Sequence, residues 1–231
     1  PIKPCALAPD DVQVVGQHLL RAKHPLIITS YLGRNSLAVD QLMRLADRLA
    51  IPVLEASPKY MNFPANHPLH VGYVWHQQEQ NRLLAEADVV LIVDSDVPWI
   101  PLVNKPAETC KVFYIDIDPL KEKTPLWYIP SYGFFRADSF VALKQLNEYL
   151  DLHGPEPDQD EIVQRRKRIA QIHTTLRKQW LDKEQSQPDQ LTAESLTATI
   201  RDLIGEDSIV INETVTYFEV VSRHLPRTKP G

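Results

Sequence analysis

Short, continuous runs of apolar, β-branched residues alternating with helical segments constrain this chain most. Leu26-Ile27-Ile28-Thr29, Ile51 to Ala56, Asp88 to Val93 and Lys111 to Ile117 lack polar alternation, as strands buried on both faces require. Gly133-Phe-Phe-Arg136 is a weaker fifth run, and residues 57–76 read as irregular. Asp10 and Asp11 precede Val14, Val15, Leu19 and Leu20, the pattern of a capped helix. Leu37, Leu42, Leu45, Ala46 and Leu49 recur at helical spacing, and Gln77 to Ala87 and Ser139 to Leu150 give two more helices. Strands alternating with helices imply a parallel sheet with right-handed crossovers, hence a doubly wound, Rossmann-like α/β domain over residues 1–153.

A polar Pro/Gly stretch from Asp151 to Pro157 marks the boundary of that domain. Residues 154–190 read as a linker containing a charged helix from Asp160 to Lys183. Its Arg165, Arg166, Lys167, Arg168 run is expected to be a solvated face. A helix from Thr192 to Ile204 and a strand from Ser208 to Asn212 open a second, truncated α/β unit over residues 191–231. A start on Pro1 and an unfinished second unit are expected of a piece of a longer polypeptide.

A net charge of -5 argues against a partner that presents a phosphate backbone, because no basic surplus exists to displace counterions. No apolar run approaches bilayer length, so no membrane partner is expected. Cys5 and Cys110 are the two cysteines, which fits a reducing, intracellular setting. The seven glycines are all isolated, so no G-x-G and no G-x-x-x-x-G-K occurs. Phosphate-cradling loops need bare backbone, and the common kinds are absent.

Several stretches, taken in order, resemble the middle of the thiamine-diphosphate-dependent enzymes of the acetolactate synthase and benzoylformate decarboxylase type. Leu20-Arg-Ala-Lys-His-Pro-Leu-Ile-Ile28 looks like that family's first central-domain helix and strand. Leu45-Ala46, Arg48-Leu49 and Ile51-Pro52-Val53 look like its helix-to-strand step. Phe63-Pro64, His67-Pro68 and Gly72 match a loop, and Ala87 to Ile92 and Ile115-Asp-Ile-Asp-Pro119 match a strand and a turn. Asn212-Glu213-Thr214-Val-Thr216 looks like the start of the diphosphate-binding domain.

The resemblance implies the central domain of a 2-oxo acid carboligase or decarboxylase, a transferase or lyase that is not catalytic in isolation. Thiamine diphosphate and magnesium belong to the parent enzyme, and neither is expected on this piece alone. The glutamate that activates the cofactor and the Gly-Asp-Gly to Asn motif that holds magnesium are expected outside residues 1–231. The partners implied are the remaining domains and further copies, as a dimer or tetramer, in cytoplasm or mitochondria.

By the same resemblance, the central domain is Rossmann-like (of the DHS-like NAD/FAD-binding type) and holds FAD or ADP in some members. Here Tyr31 and Leu32 bring side chains to the first strand-helix turn, where several glycines are usual, so an empty or degenerate cleft is expected. Were a nucleotide to bind, Asp116, Ile117 and Asp118 would be the contacts, although Asp118-Pro119 reads more simply as a turn and cap. The alternative function is an independent FAD-, ADP- or NAD-binding module.

On the diphosphate side the resemblance points to Asn212, Glu213 and Thr216, with Val215 replacing a family hydroxyl. His67, His70 and His76 cluster in one loop without a zinc-protease motif, and no metal is expected there. Asp94/Asp96 and Asp116/Asp118 could chelate a cation, but carboxylates at strand ends ordinarily satisfy loop amides. Trp99 and Trp127 with Tyr128 suggest either an interface or core packing. No nucleophile motif is present, and no catalytic residue is assigned.

Overall fold

The computed structural model describes residues 3–74, 79–123, 129–153, 159–185, 190–205 and 207–230. The elements run α1 (Pro9–Arg21), β1 (Pro25–Thr29), α2 (Ser36–Leu49), β2 (Val53–Ala56), β3 (His70–Val74), α3 (Arg82–Glu86) and β4 (Val89–Val93). There follow β5 (Lys111–Asp116), β6 (Gly133–Arg136), α4 (Ser139–His153), α5 (Gln159–Lys183), α6 (Ala193–Leu203) and α7 (Phe218–His224). The sheet has six strands in the order β3-β2-β1-β4-β5-β6, all parallel. β1 and β4 lie at its centre, with Ile27 beside Leu91 and Ile28 beside Ile92. Every residue of both strands is buried, which is why these segments are continuously apolar.

The doubly wound fold expected from the sequence is therefore present, with one more strand than expected. β3 lies in the stretch read as irregular. Gly72 interrupts its apolar pattern, sits at φ +91° and coincides with a shift in the pairing register with β2. Such a bulge is where glycine is needed.

α1 starts differently from the expectation. Ala8 is the N-cap, without a side-chain hydrogen bond, and Pro9 begins the helix. Asp10 and Asp11 lie in the first turn, where they favour the positive end of the helix dipole without capping it. α4 packs against α1 and α2, and the Asn147 amide donates to the Gln41 carbonyl at 3.0 Å.

The basic run on α5 is not simply a solvated face. Arg165 donates to the Leu49 carbonyl at 2.9 Å and to the Ala22 carbonyl at 2.7 Å, at the C-terminal ends of α2 and α1. A cation there satisfies orphan carbonyls and the helix dipoles together. Arg166 pairs with Asp47 at 2.8 Å, whereas Lys167 and Arg168 remain exposed. Further along α5, Trp180 stacks on Tyr73 and closes over Gly72. The helix is thus docked on the sheet domain.

α6 and α7 pack on each other, joined by Glu184. Its carboxylate takes two bonds from Arg201, at 2.7 and 3.0 Å, and faces His224 Nδ1 at 2.8 Å. The strand expected over Ser208–Asn212 does not form. Ile209 and Ile211 are 90% and 82% exposed, and no strand among the described residues pairs with them. A strand without a ladder partner has nothing to hold it extended.

Candidate functional site

The strand order turns outward in both directions from β1 and β4, which places a crevice at the C-terminal ends of these strands. Open α/β sheets bind ligands at this point. Four strands deliver their following residues there: Ser30 and Tyr31 after β1, Lys59 after β2, Asp94 to Asp96 after β4, and Asp116 to Asp118 at the end of β5. A shallow cavity of about 350 Å³ remains, lined by Tyr31, Arg34, Lys59, Asp96, Asp116 and Lys121 among others.

Side chains of the chain itself occupy the middle of the crevice. The Tyr31 hydroxyl makes a short hydrogen bond to Asp116 and a longer one to Asp96 at 3.3 Å. Lys121 donates to the same hydroxyl at 2.8 Å, to Asp116 at 2.9 Å, and pairs with Asp96 at 3.0 Å. Arg34 pairs with Asp94 at 3.2 Å, and Lys59 reaches Asp96 at 3.5 Å. Arg34, Lys59 and Lys121 lie between 5.2 and 5.9 Å from the centre of the Tyr31 ring, within cation–π range.

Burial, reinforced by the Asp116 hydrogen bond and by the Asp116, Asp96 and Asp94 charges, pushes the Tyr31 phenol far above its ordinary value, so it stays a neutral donor. Burial also pushes the Asp94 carboxyl up, to about 6, against the opposing influence of Ser139 and Arg34. Its Oδ2 is buried with no hydrogen-bond partner of good geometry. Burial raises Asp96 too, but Lys121 and Lys59 outweigh it and hold that carboxyl below the usual range.

Of the residues predicted from sequence for a nucleotide, Asp116 is buried at the centre of this cluster, while Ile117 and Asp118 lie exposed on its rim. Asp116, not Asp118, makes the turn bond: its Oδ1 accepts from the Asp118 amide at 2.9 Å. Asp94, Asp96 and Asp116 are committed to Arg34, Lys59 and Lys121, whereas Asp118 is exposed, and no group of three potential metal ligands occurs among the described residues. Lys121 carried no signal in the sequence. It stands in a turn, at φ +50°, without periodic context.

Asn62 and Glu55, also missed, form a buried network that braces the turn after β1. The Asn62 carbonyl oxygen accepts from Gly33 N at 2.9 Å, and its amide donates to Ser30 O at 2.9 Å and to Glu55 at 2.8 Å. The other oxygen of Glu55 faces His70 Nε2 at 3.0 Å, with both side chains buried. A carboxylate inside an apolar strand run needs a buried partner, and that was the available signal. His67 faces Asp47 at 3.4 Å, and burial lowers its basicity despite that carboxylate. His76 lies outside the described residues.

FAD or ADP, which the resemblance implies for some relatives, does not fit this crevice. Ser30 N and Tyr31 N both donate to Asp94 O at 3.0 Å, Arg34 N to Tyr31 O at 3.1 Å, and Asn35 N to Leu32 O at 3.2 Å. Gly33 N is held by Asn62, so these five amides of the turn have no donor left for a phosphate. Gly33 serves packing, since a Cβ there would lie 2.1 Å from the Met61 carbonyl oxygen.

Asn212, Glu213 and Thr216 lie far along the chain, in the segment before α7. Asn212 Oδ1 accepts from Thr214 N at 3.1 Å and from its hydroxyl at 2.7 Å, while Glu213 and Thr216 face solvent. Trp99 is buried in the core, in line with packing, and Trp127 and Tyr128 lie outside the described residues.

Fold and crevice together define a Rossmann-type α/β domain whose ligand cleft is taken up by its own side chains. Residues 12–125, about half of the chain, match the family described as thiamine pyrophosphate enzyme, central domain. It is 34% identical over 116 residues to pyruvate oxidase of Lactiplantibacillus plantarum, covering 48% of this chain and 19% of that protein. It is 40% identical over 75 residues to sulfoacetaldehyde acetyltransferase of Castellaniella defragrans, covering 32% of this chain and 12% of that protein.

Among solved structures, a protein of Mycobacterium smegmatis assigned to the thiamin diphosphate-dependent enzymes superposes with a TM-score of 0.70 at 18% identity. Benzoylformate decarboxylase of Polynucleobacter necessarius gives 0.70 at 14%. Both superpositions cover 100% of this chain, but only 42% and 40% of those chains, and at these identities they speak for the fold. The independent nucleotide-binding module is not favoured.

Proposed function

We propose that the chain is the middle of a longer thiamine-diphosphate- and magnesium-dependent 2-oxo acid carboligase or decarboxylase, similar to acetolactate synthase. In this reading residues 1–153 are the central domain, residues 154–190 the linker and residues 191–231 the start of the diphosphate-binding domain. Asn212, Glu213 and Thr216 then lie on the diphosphate side of the cofactor. Thiamine diphosphate supplies the carbanion chemistry when bound. The central domain braces the parts that carry it, within a homodimer or homotetramer inside the cell. The two cysteines are both unpaired, which fits that setting.

The observation that carries this reading is the match over residues 12–125. The exposed apolar stretch Ile209, Val210 and Ile211 supports the domain assignment, because such a run wants a neighbouring sheet. The test uses the full-length protein with thiamine diphosphate, magnesium and pyruvate. Carbon dioxide release that depends on all three is expected. A folded full-length protein that leaves thiamine diphosphate unbound in equilibrium dialysis would refute the reading.

A further inference from the structure

We propose that the crevice between β1 and β4 is a nucleotide site closed from within by Tyr31, whose phenol stands where a ribose hydroxyl would meet Asp116, so that the domain holds its fold without FAD, ADP or NAD.

Position makes the first part of the case. Tyr31 follows β1 by two residues, at the turn where a dinucleotide site needs bare backbone close to a pyrophosphate. Its ring fills that approach, with Lys121, Arg34 and Lys59 arranged around it.

Hydrogen-bond accounting makes the second. A carboxylate at the end of a buried strand is suited to accept from ribose hydroxyls, and Asp116 is such a carboxylate. One of its oxygens already accepts from Tyr31 and Lys121 and the other from the Asp118 amide. The amides of residues 30, 31, 33, 34 and 35 are equally engaged. An incoming nucleotide would have to break internal bonds at both its sugar and its phosphates.

Charge makes the third. Arg34, Lys59 and Lys121 each face a carboxylate, and the crevice holds Asp94, Asp96, Asp116 and Asp118 against those three cations. A diphosphate would find these three cations already facing carboxylates. The inference stands whatever reaction the whole protein carries out.

The test combines nucleotide titration with substitution at Tyr31 in the full-length protein. Thermal melts and calorimetric titrations with FAD, ADP and NAD, each taken to about 1 mM, are expected to show no saturable response, since a ligand at 100 times its Kd would add about 2.7 kcal/mol. Tyr31→Ala is expected to melt several degrees lower with no nucleotide present. If that variant does not fold, Tyr31→Phe, which keeps the ring, is expected to lower the folded-to-unfolded ratio about fivefold. Saturable binding of any of the three nucleotides by the unsubstituted protein, or the recovery of one with it on purification, would overturn the proposal. So would a Tyr31→Ala or Tyr31→Phe variant as stable as the parent.

Discussion

Asp94 sits directly after the most central strand pair, at φ +50° and fully buried, with one oxygen on Arg34 and the other unpartnered. Burial raises its folded value to about 6, above the roughly 3.9 of an unfolded aspartate. The folded state therefore binds more protons between those values, so this group lowers stability as pH rises from about 4 to 6. Asp94→Asn should remove that slope and gain on the order of 2 kcal/mol at pH 7, read from urea unfolding at pH 4.5 and 7. At His70, which faces the buried Glu55 carboxylate, a substitution should destabilise instead. His70→Ala leaves a buried carboxylate with only the Asn62 amide and should cost about 3 kcal/mol in the same measurement.

The places of Asp116 and Tyr31 in the crevice were legible because both come at the ends of strongly apolar runs, and strand ends place what comes next. Lys121, Asn62 and Glu55 were not, since each acts through a partner distant in sequence.

At the scale of elements, continuous burial made β1, β4 and β5 readable, and helical periodicity did the same for α2 and α4. β3 escaped because its glycine, bulge and flanking prolines look like loop chemistry. α5 was readable as a helix, but its charge pattern pointed to solvent when two of its arginines seek the carbonyl ends and the Asp47 side of other helices. Period alone cannot distinguish a solvated cation from one that caps a neighbour. Trp180 anchors the far part of this helix between Arg177, Arg223 and the Tyr73 ring. Trp180→Ala should cost about 3 kcal/mol and should make α5 the first site of cleavage in limited proteolysis. The strand expected at Ser208–Asn212 shows the converse: β-propensity without a ladder gives exposed coil.

For the whole molecule, strand order was not written in any local run, because it depends on which crossovers turn left or right of β1. The 3-2-1-4-5-6 order still follows from two right-handed series that start at the centre. It leaves β3 with a strand on one side only, and on this strand the His70 carbonyl meets His173 at 2.8 Å while α5 lies alongside. The long helix thereby acts as a guard rail against intermolecular zippering at that margin of the sheet. A chain shortened to end at residue 153 should accordingly form oligomers or precipitate in size-exclusion chromatography, where a chain extending through residue 185 stays dispersed. What reads as a spacer between two units would then be the piece that keeps the first of them from polymerising.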